Sequence, residues 1–228
     1  VWTRLSVKPS PRRNKLIMCG IAGFFQQQPV SLAAVQGMLS ALRRRGPDAE
    51  HVVGWNTQGQ RNDAASEVGL IHTRLAIIDP RPEADQPFSN DDGSIWICYN
   101  GEVYDWQQHA DELRAQGVQF KTHSDTEFIL RGYEAWGLED LLPKLRGMFA
   151  FAILDWKKRE VFLARDRMGL KPLVYTTAND GLAFGSLVLP IKAALMSALT
   201  LGSTMGILTW MFVEGGHGSG LFNYTPQP

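Results

Sequence analysis

Met18-Cys19-Gly20-Ile21-Ala22-Gly23 opens an apolar, glycine-punctuated run that reads as a β-strand, with a cysteine directly after a methionine. Removal of Met18 would leave Cys19 with a thiol and a free α-amine on one residue. Such an amine titrates near about 7.7–8.0, so at neutral pH part of it is unprotonated and able to take the thiol proton, directly or through water. The thiolate is the attacking species, and an N-terminal amine is a known partner for a nucleophile. Left internal, residue 19 has an amide nitrogen, which is no base. The other reading is a small buried hydrophobe in a strand, and the hexapeptide by itself does not separate the two.

Upstream, residues 1–17 carry five positive charges, no acidic group and a Pro-Ser-Pro break, without the apolar stretch of a secretory signal. They read as an upstream mis-assigned start, a cleaved pro-segment or a retained basic arm. Only the last keeps Cys19 blocked.

Downstream, Ser31 is placed to cap a helix whose apolar positions Leu32, Val35, Leu39 and Leu42 follow the helical period. Arg43-Arg44-Arg45 should form its solvated end, and Gly46-Pro47-Asp48 stops it. Strands are expected over His51–Trp55, Gly69–Ile78 and Ser94–Tyr99. Asn100-Gly101 then reads either as a hairpin turn or as a pair of N–H donors facing a reacting carbonyl. A helix should cover Trp106–Gln116, and Ser124-Asp125-Thr126-Glu127 has the pattern of a capping box opening another. There Asp125 suits the helix dipole without any ligand role. Residues 147–155 and 160–165, Leu173–Thr177 and Leu182–Ser186 complete the strands, with a turn at Asn179-Asp180-Gly181. Strands outnumber helices at hairpin spacing, which predicts an α+β fold with helices outside antiparallel sheets.

Composition narrows the function classes. A chain of 228 residues with 44% hydrophobic content and zero formal charge suits one sizeable core and gives no reason to expect nucleic acid as partner. Two cysteines, Cys19 and Cys98, make no disulfide framework and fit a reducing cytoplasm. Cys98 reads as core, and His72 and His123 as orienting or packing groups. Arg165 and Asp166 read as an internal pair near a turn. No cysteine–histidine cluster has metal-ligand spacing.

Five segments in order then carry a resemblance: Met18–Gly23, Arg45-Gly46-Pro47-Asp48, His72–Asp79, Asn100-Gly101-Glu102-Val103-Tyr104 with Tyr99 before it, and Ser124–Glu127. Gly147–Ala152 and Arg165–Leu173 extend it. Together they resemble the glutaminase domain of class II glutamine amidotransferases, and within that class the glutamine-hydrolysing asparagine synthetases. The resemblance covers about residues 18–186. It implies an N-terminal-nucleophile hydrolase fold, a four-layer α/β/β/α sandwich of two antiparallel sheets. By the same resemblance, Cys19 would attack the glutamine side chain, and Asn100 and Gly101 would hold the oxyanion. Arg74 would clamp the α-carboxylate, Asp125 and Glu102 the α-ammonium, and backbone around Ile77 would add contacts. Hydrolysis would need no metal or cofactor. The expected partners are glutamine and a synthetase domain or chain that accepts the ammonia; a homodimer is compatible with the sequence.

The sequence departs from the family after Ser186, where the family has Ser-Glu and this chain has Ser186-Leu187. The family's pyrophosphate loop is missing, so ATP and Mg belong to a synthetase domain not found here. Gly215–Gly220 lacks that loop's Asp and its strand–loop–helix context. We therefore expect residues 187–228 to be an atypical tail, as a truncation or frameshift would leave. Ala193 to Val213 has no charged residue, but seven Ser, Thr or Gly positions interrupt it, and it is not read as a membrane span. The competing function is a catalytically silent interaction domain, or another class II amidotransferase.

Overall fold

The computed structural model describes residues 18–76, 79–178 and 181–186. Nine strands and three helices follow in order: β1 Gly20–Phe25, α1 Leu32–Leu42, β2 Ala49–Trp55, β3 Val68–Arg74, β4 Phe88–Ser89, β5 Ile95–Tyr104, α2 Trp106–Ala115, α3 Asp125–Leu141, β6 Arg146–Asp155, β7 Glu160–Arg165, β8 Val174–Ala178 and β9 Gly181–Gly185. The first sheet has the order β2-β3-β1-β9-β8 and the second β4-β5-β6-β7, and every pairing is antiparallel.

Side-chain alternation builds the layers. Ile21 and Leu70 of the first sheet meet Cys98, Ala150, Ala152 and Leu154 of the second, forming a core between the sheets. Ala22, Phe24 and Ile71 point the other way and are covered by Val35, Leu39 and Leu42 of α1. On the far side, Tyr99, Phe149, Phe151 and Ile153 pack under Phe128, Ile129 and Leu130 of α3 and Leu113 of α2. In β6 the even positions 150, 152 and 154 face the first sheet while 149, 151 and 153 face the helices, as the two-residue period of a strand requires. The result is the four-layer α/β/β/α sandwich.

β1 lies at the centre of its sheet because glycines leave room for aromatic rings. Phe24 is opposite Gly69, and Gly23 opposite Phe184. A Cβ at Gly69 would sit 2.3 Å from the Phe24 ring, and one at Gly23 would sit 2.4 Å from that of Phe184. Cys19 is thereby held at the open end of a strand paired on both sides.

Several expectations need correction. Asn100-Gly101 is no turn: β5 runs unbroken to Tyr104, with Asn100 opposite Ala150 and Gly101 opposite Phe149. β3 ends at Arg74, short of the predicted Ile78, because Asp48 takes over the edge: its N–H donates to the Arg74 carbonyl and its carboxylate accepts from Ala76. Ser124 does cap α3 by accepting from the Glu127 N–H at 3.2 Å. The Glu127 carboxylate, however, accepts from the backbone of Lys121 and Thr122 rather than returning to Ser124, so only half of the capping box forms. Arg165 and Asp166 are not an ion pair. Asp166 accepts instead from the backbone of Phe149, Leu170 and Lys171, which fixes the turn after β7. Residues 1–17, the Asn179-Asp180 turn, the tail from 187 onward and its uncharged stretch lie outside the described residues. Among the described residues no helix is long and apolar enough to cross a membrane.

Candidate active site

Cys19 opens into a cavity of about 270 Å³ between the ends of the two sheets. Cys19 immediately precedes β1, β3 supplies Arg74, β5 supplies Tyr99, Asn100, Gly101 and Glu102, and the start of α3 supplies its cap Ser124 with Asp125 and Thr126. The Leu75 N–H donates to Cys19 Sγ at 3.3 Å, and the thiol in turn donates to the Leu75 carbonyl at 3.6 Å. Burial pushes the thiol above its ordinary range; the Leu75 hydrogen bond and the positive charges of Arg74, Lys171 and Arg45 pull the other way.

Each expected site residue within the described set lines this cavity. Asn100 is buried, and its Nδ2 donates to Ser186 Oγ at 2.9 Å, which leaves a second N–H on the same nitrogen. Gly101 is required by packing as well as by any chemistry: a Cβ there would lie 2.4 Å from the Met148 carbonyl oxygen. Glu102 is exposed on the cavity wall. Asp125 is buried, accepting from Tyr99 OH at 2.6 Å and Val103 N–H at 3.0 Å. Burial raises its carboxyl pKa, and those two donors oppose the rise. Ile77 lies outside the described residues.

Arg74 is anchored by the loop that follows it. Its guanidinium donates to the carbonyls of Arg81 and Asp79 and to the Asp85 carboxylate. Asp79 is locked in turn by the Arg81 guanidinium at 2.6 and 2.8 Å and by the His123 N–H. The Arg81 hydrogen bonds hold the Asp79 carboxyl well below the usual range. Beneath the floor, Gln86 accepts from the Tyr99 N–H at 2.6 Å and donates to Thr126 Oγ1, tying β5 to α3. His72 is fully buried, donates Nε2–H to the Tyr99 carbonyl at 3.3 Å, and is driven by burial to a pKa of about 3. It is therefore a neutral orienting group. Cys98, sealed between the sheets, has its thiol pushed far up by burial and is inert.

Three contributors had no chemical role in the sequence reading. Arg45, expected as a solvated helix end, is buried, and its Nε donates to the Cys19 carbonyl at 3.2 Å. Arg43 and Arg44 of that triplet stay exposed as expected, Arg43 pairing with Glu50. Lys171 is buried with Nζ 2.9 Å from Met18 Sδ. Ser186 orients Asn100. Arg45 and Lys171 both sit in the segments that carried the resemblance, but nothing local to them indicates which way they turn. Among the described residues no group of three or more His, Cys, Asp or Glu is arranged to hold a metal ion.

A family model described as a glutamine amidotransferase domain matches residues 18–207. The chain belongs to that family. The amidotransferase domain is 38% identical over 174 residues to asparagine synthetase [glutamine-hydrolyzing] 1 of Bacillus subtilis, covering 74% of this chain and 26% of that protein. It is 36% identical over 167 residues to asparagine synthetase [glutamine-hydrolyzing] 2 of Oryza sativa subsp. japonica, covering 72% and 26%. The chain thus spans about a quarter of the length of these curated relatives. Among solved structures, glutamine phosphoribosylpyrophosphate amidotransferase from B. subtilis, complexed with ADP and GMP, superposes with a TM-score of 0.61 at 24% identity. That match covers 74% of this chain and 42% of the other, and supports the shared fold.

Proposed function

We propose that residues 18–186 are the glutaminase part of an asparagine synthetase-like amidotransferase, converting glutamine to glutamate and ammonia for a synthetase domain or partner chain. The observation that carries this reading is the placement of Cys19 Sγ at the Leu75 N–H, in one cavity with Arg74, Asn100, Gly101, Glu102 and Asp125.

With Met18 removed, the Cys19 α-amine takes the thiol proton and Sγ attacks the side-chain carbonyl carbon of glutamine. The negative charge that develops on oxygen falls to the free Asn100 N–H and the backbone at Gly101, donors whose individual loss typically costs about 3–4 kcal/mol of barrier. The ammonium passes its proton to the departing nitrogen, ammonia leaves, and a γ-glutamyl thioester remains. Water, deprotonated by the same amine, attacks the thioester, and the proton returns to the thiol as glutamate departs. Arg74 presents a planar fork suited to the α-carboxylate, while Asp125 and Glu102 supply negative charge for the α-ammonium. This half-reaction needs no metal, since the nucleophile, the base and the oxyanion donors are all groups of the chain.

Met18 itself lines the cavity, so a chain that retains it supports the silent-domain reading instead. The mass of the purified protein's N-terminus and labelling by a glutamine-like diazoketone separate the two. The enzyme reading expects a chain beginning at Cys19, alkylated at that residue, with hydrolysis abolished in Cys19→Ala. Glutamine hydrolysis that persists in Cys19→Ala refutes it.

A further inference from the structure

Two buried cations converge on the Met18-Cys19 peptide, and neither has a carboxylate partner among the described residues. Lys171 Nζ has one hydrogen-bond acceptor there, the Met18 thioether at 2.9 Å. A thioether is a weak acceptor, and lysines are almost never fully buried without a pair. Asp166 does not fill that role, because it accepts from the Lys171 backbone N–H and not from the ammonium. Arg45 donates Nε–H to the Cys19 carbonyl at 3.2 Å, while its Nη1 and Nη2 are buried with no partner. Loss of Met18 removes the thioether and leaves a free α-amine on Cys19, the residue that Arg45 pins through its carbonyl.

We propose that Lys171, supported by Arg45, is a positioning residue that holds the α-amine of Cys19 in its neutral, proton-accepting form once Met18 is gone; this rests on the glutaminase reading above. A second positive charge close by disfavours the protonated amine and favours the thiolate, so both halves of the couple move toward their reactive states. The charged and titratable groups around Cys19 are Arg74 from β3, Arg45 from the turn after α1, Lys171 from the loop after β7, and Tyr99 from β5. Glu102 from β5 and Asp166 face Lys171, and Asp79 and Asp125 line the same cavity. Burial and the Arg45 charge lower the Lys171 pKa, against the pull of Cys19, Glu102 and Asp166. The three cations nearest Cys19 thus all act on the nucleophile in one direction.

The test compares kcat/KM for glutamine against pH in the protein beginning at Cys19, in Lys171→Met and in Lys171→Arg. Lys171→Met keeps the length and burial of the side chain without its charge. The acid limb, which reports the free enzyme's base, should move up by about one pH unit in Lys171→Met. The rate should then fall about tenfold below the limb and converge with wild type above it. Lys171→Arg should restore the limb. A limb that stays in place, or a rate that drops equally at every pH, overturns the proposal. Should Lys171→Met not fold, selective 15N-cysteine labelling of the wild-type protein reads the amine directly. A midpoint below the ordinary range of about 7.7–8.0 supports the proposal, and one within or above it overturns it. Cys19→Ala distinguishes the two levels: activity retained there removes the glutaminase reading, whereas an unmoved limb with activity lost in Cys19→Ala removes only the role of Lys171.

Discussion

Gly101→Ala tests whether the wall of the cavity is set by backbone packing. The added Cβ would lie 2.4 Å from the Met148 carbonyl oxygen and 2.7 Å from the Phe149 Cα, both backbone atoms of β6. No rotamer change relieves such a contact, and β6 is paired with β5 along the full length of β5 and with β7 on its other side. Overpacking typically costs about 1–3 kcal/mol, and a clash with backbone in a doubly paired strand belongs at the upper end, about 3 kcal/mol. For a domain of this size each kcal/mol lowers Tm by about 2–4 °C, so Tm should fall by about 6–12 °C. Gly37→Ala is the matched control. Gly37 lies inside α1 with nothing within 4 Å of its added Cβ, and a helix interior favours Ala over Gly by about 0.8–1 kcal/mol. Its Tm should rise by about 2–4 °C. Thermal unfolding followed by circular dichroism reads both variants. A Gly101→Ala protein melting within about 2 °C of wild type would refute the packing argument, whatever its activity.

Two further outcomes follow from the site. Arg74→Lys keeps a positive charge but loses the fork; charged hydrogen bonds are worth about 1.5–3 kcal/mol, so KM for glutamine should rise about 10- to 100-fold with kcat changed far less, and an unchanged KM rules out the clamp. His72 is buried neutral with its pKa lowered to about 3, so below the ordinary value of about 6.5 the unfolded chain binds a proton that the folded one does not. Its stabilising effect is present above about pH 6.5 and is lost progressively as pH falls toward 3. The unfolding free energy of wild type should therefore drop with falling pH more steeply than that of His72→Gln, by up to about 1.4 kcal/mol per pH unit. Chemical denaturation at pH 4, 5 and 6 measures this, and parallel slopes would contradict it.

Much of the fold was legible because it is local. Val35, Leu39 and Leu42 recur at helical spacing and are the buried residues of α1, and the dense apolar run over 147–155 is the doubly paired β6. Ser31 and Ser124 cap their helices as their positions suggest. Asn100-Gly101 was ambiguous for an equally physical reason: a turn and a packed strand both accept that dipeptide, and only the presence of β6 opposite selects the strand. Glu127 was misread because a carboxylate at that position reaches either its own cap or the preceding loop. The backbone N–H groups of Lys121 and Thr122 proved the nearer donors.

The sequence by itself determined most of the elements, their faces and the place of Cys19 at the head of β1, since these depend on the period of apolar residues and on caps within a few positions. Tertiary structure alone decided that Arg45 turns inward from a helix end and that Lys171 arrives 153 residues along the chain from Met18. Those placements come from β1 being zipped between β3 and β9 and from the Asp166-bound turn. A side chain's electrostatic neighbours are set by which distant strands pair, and no local pattern carries that.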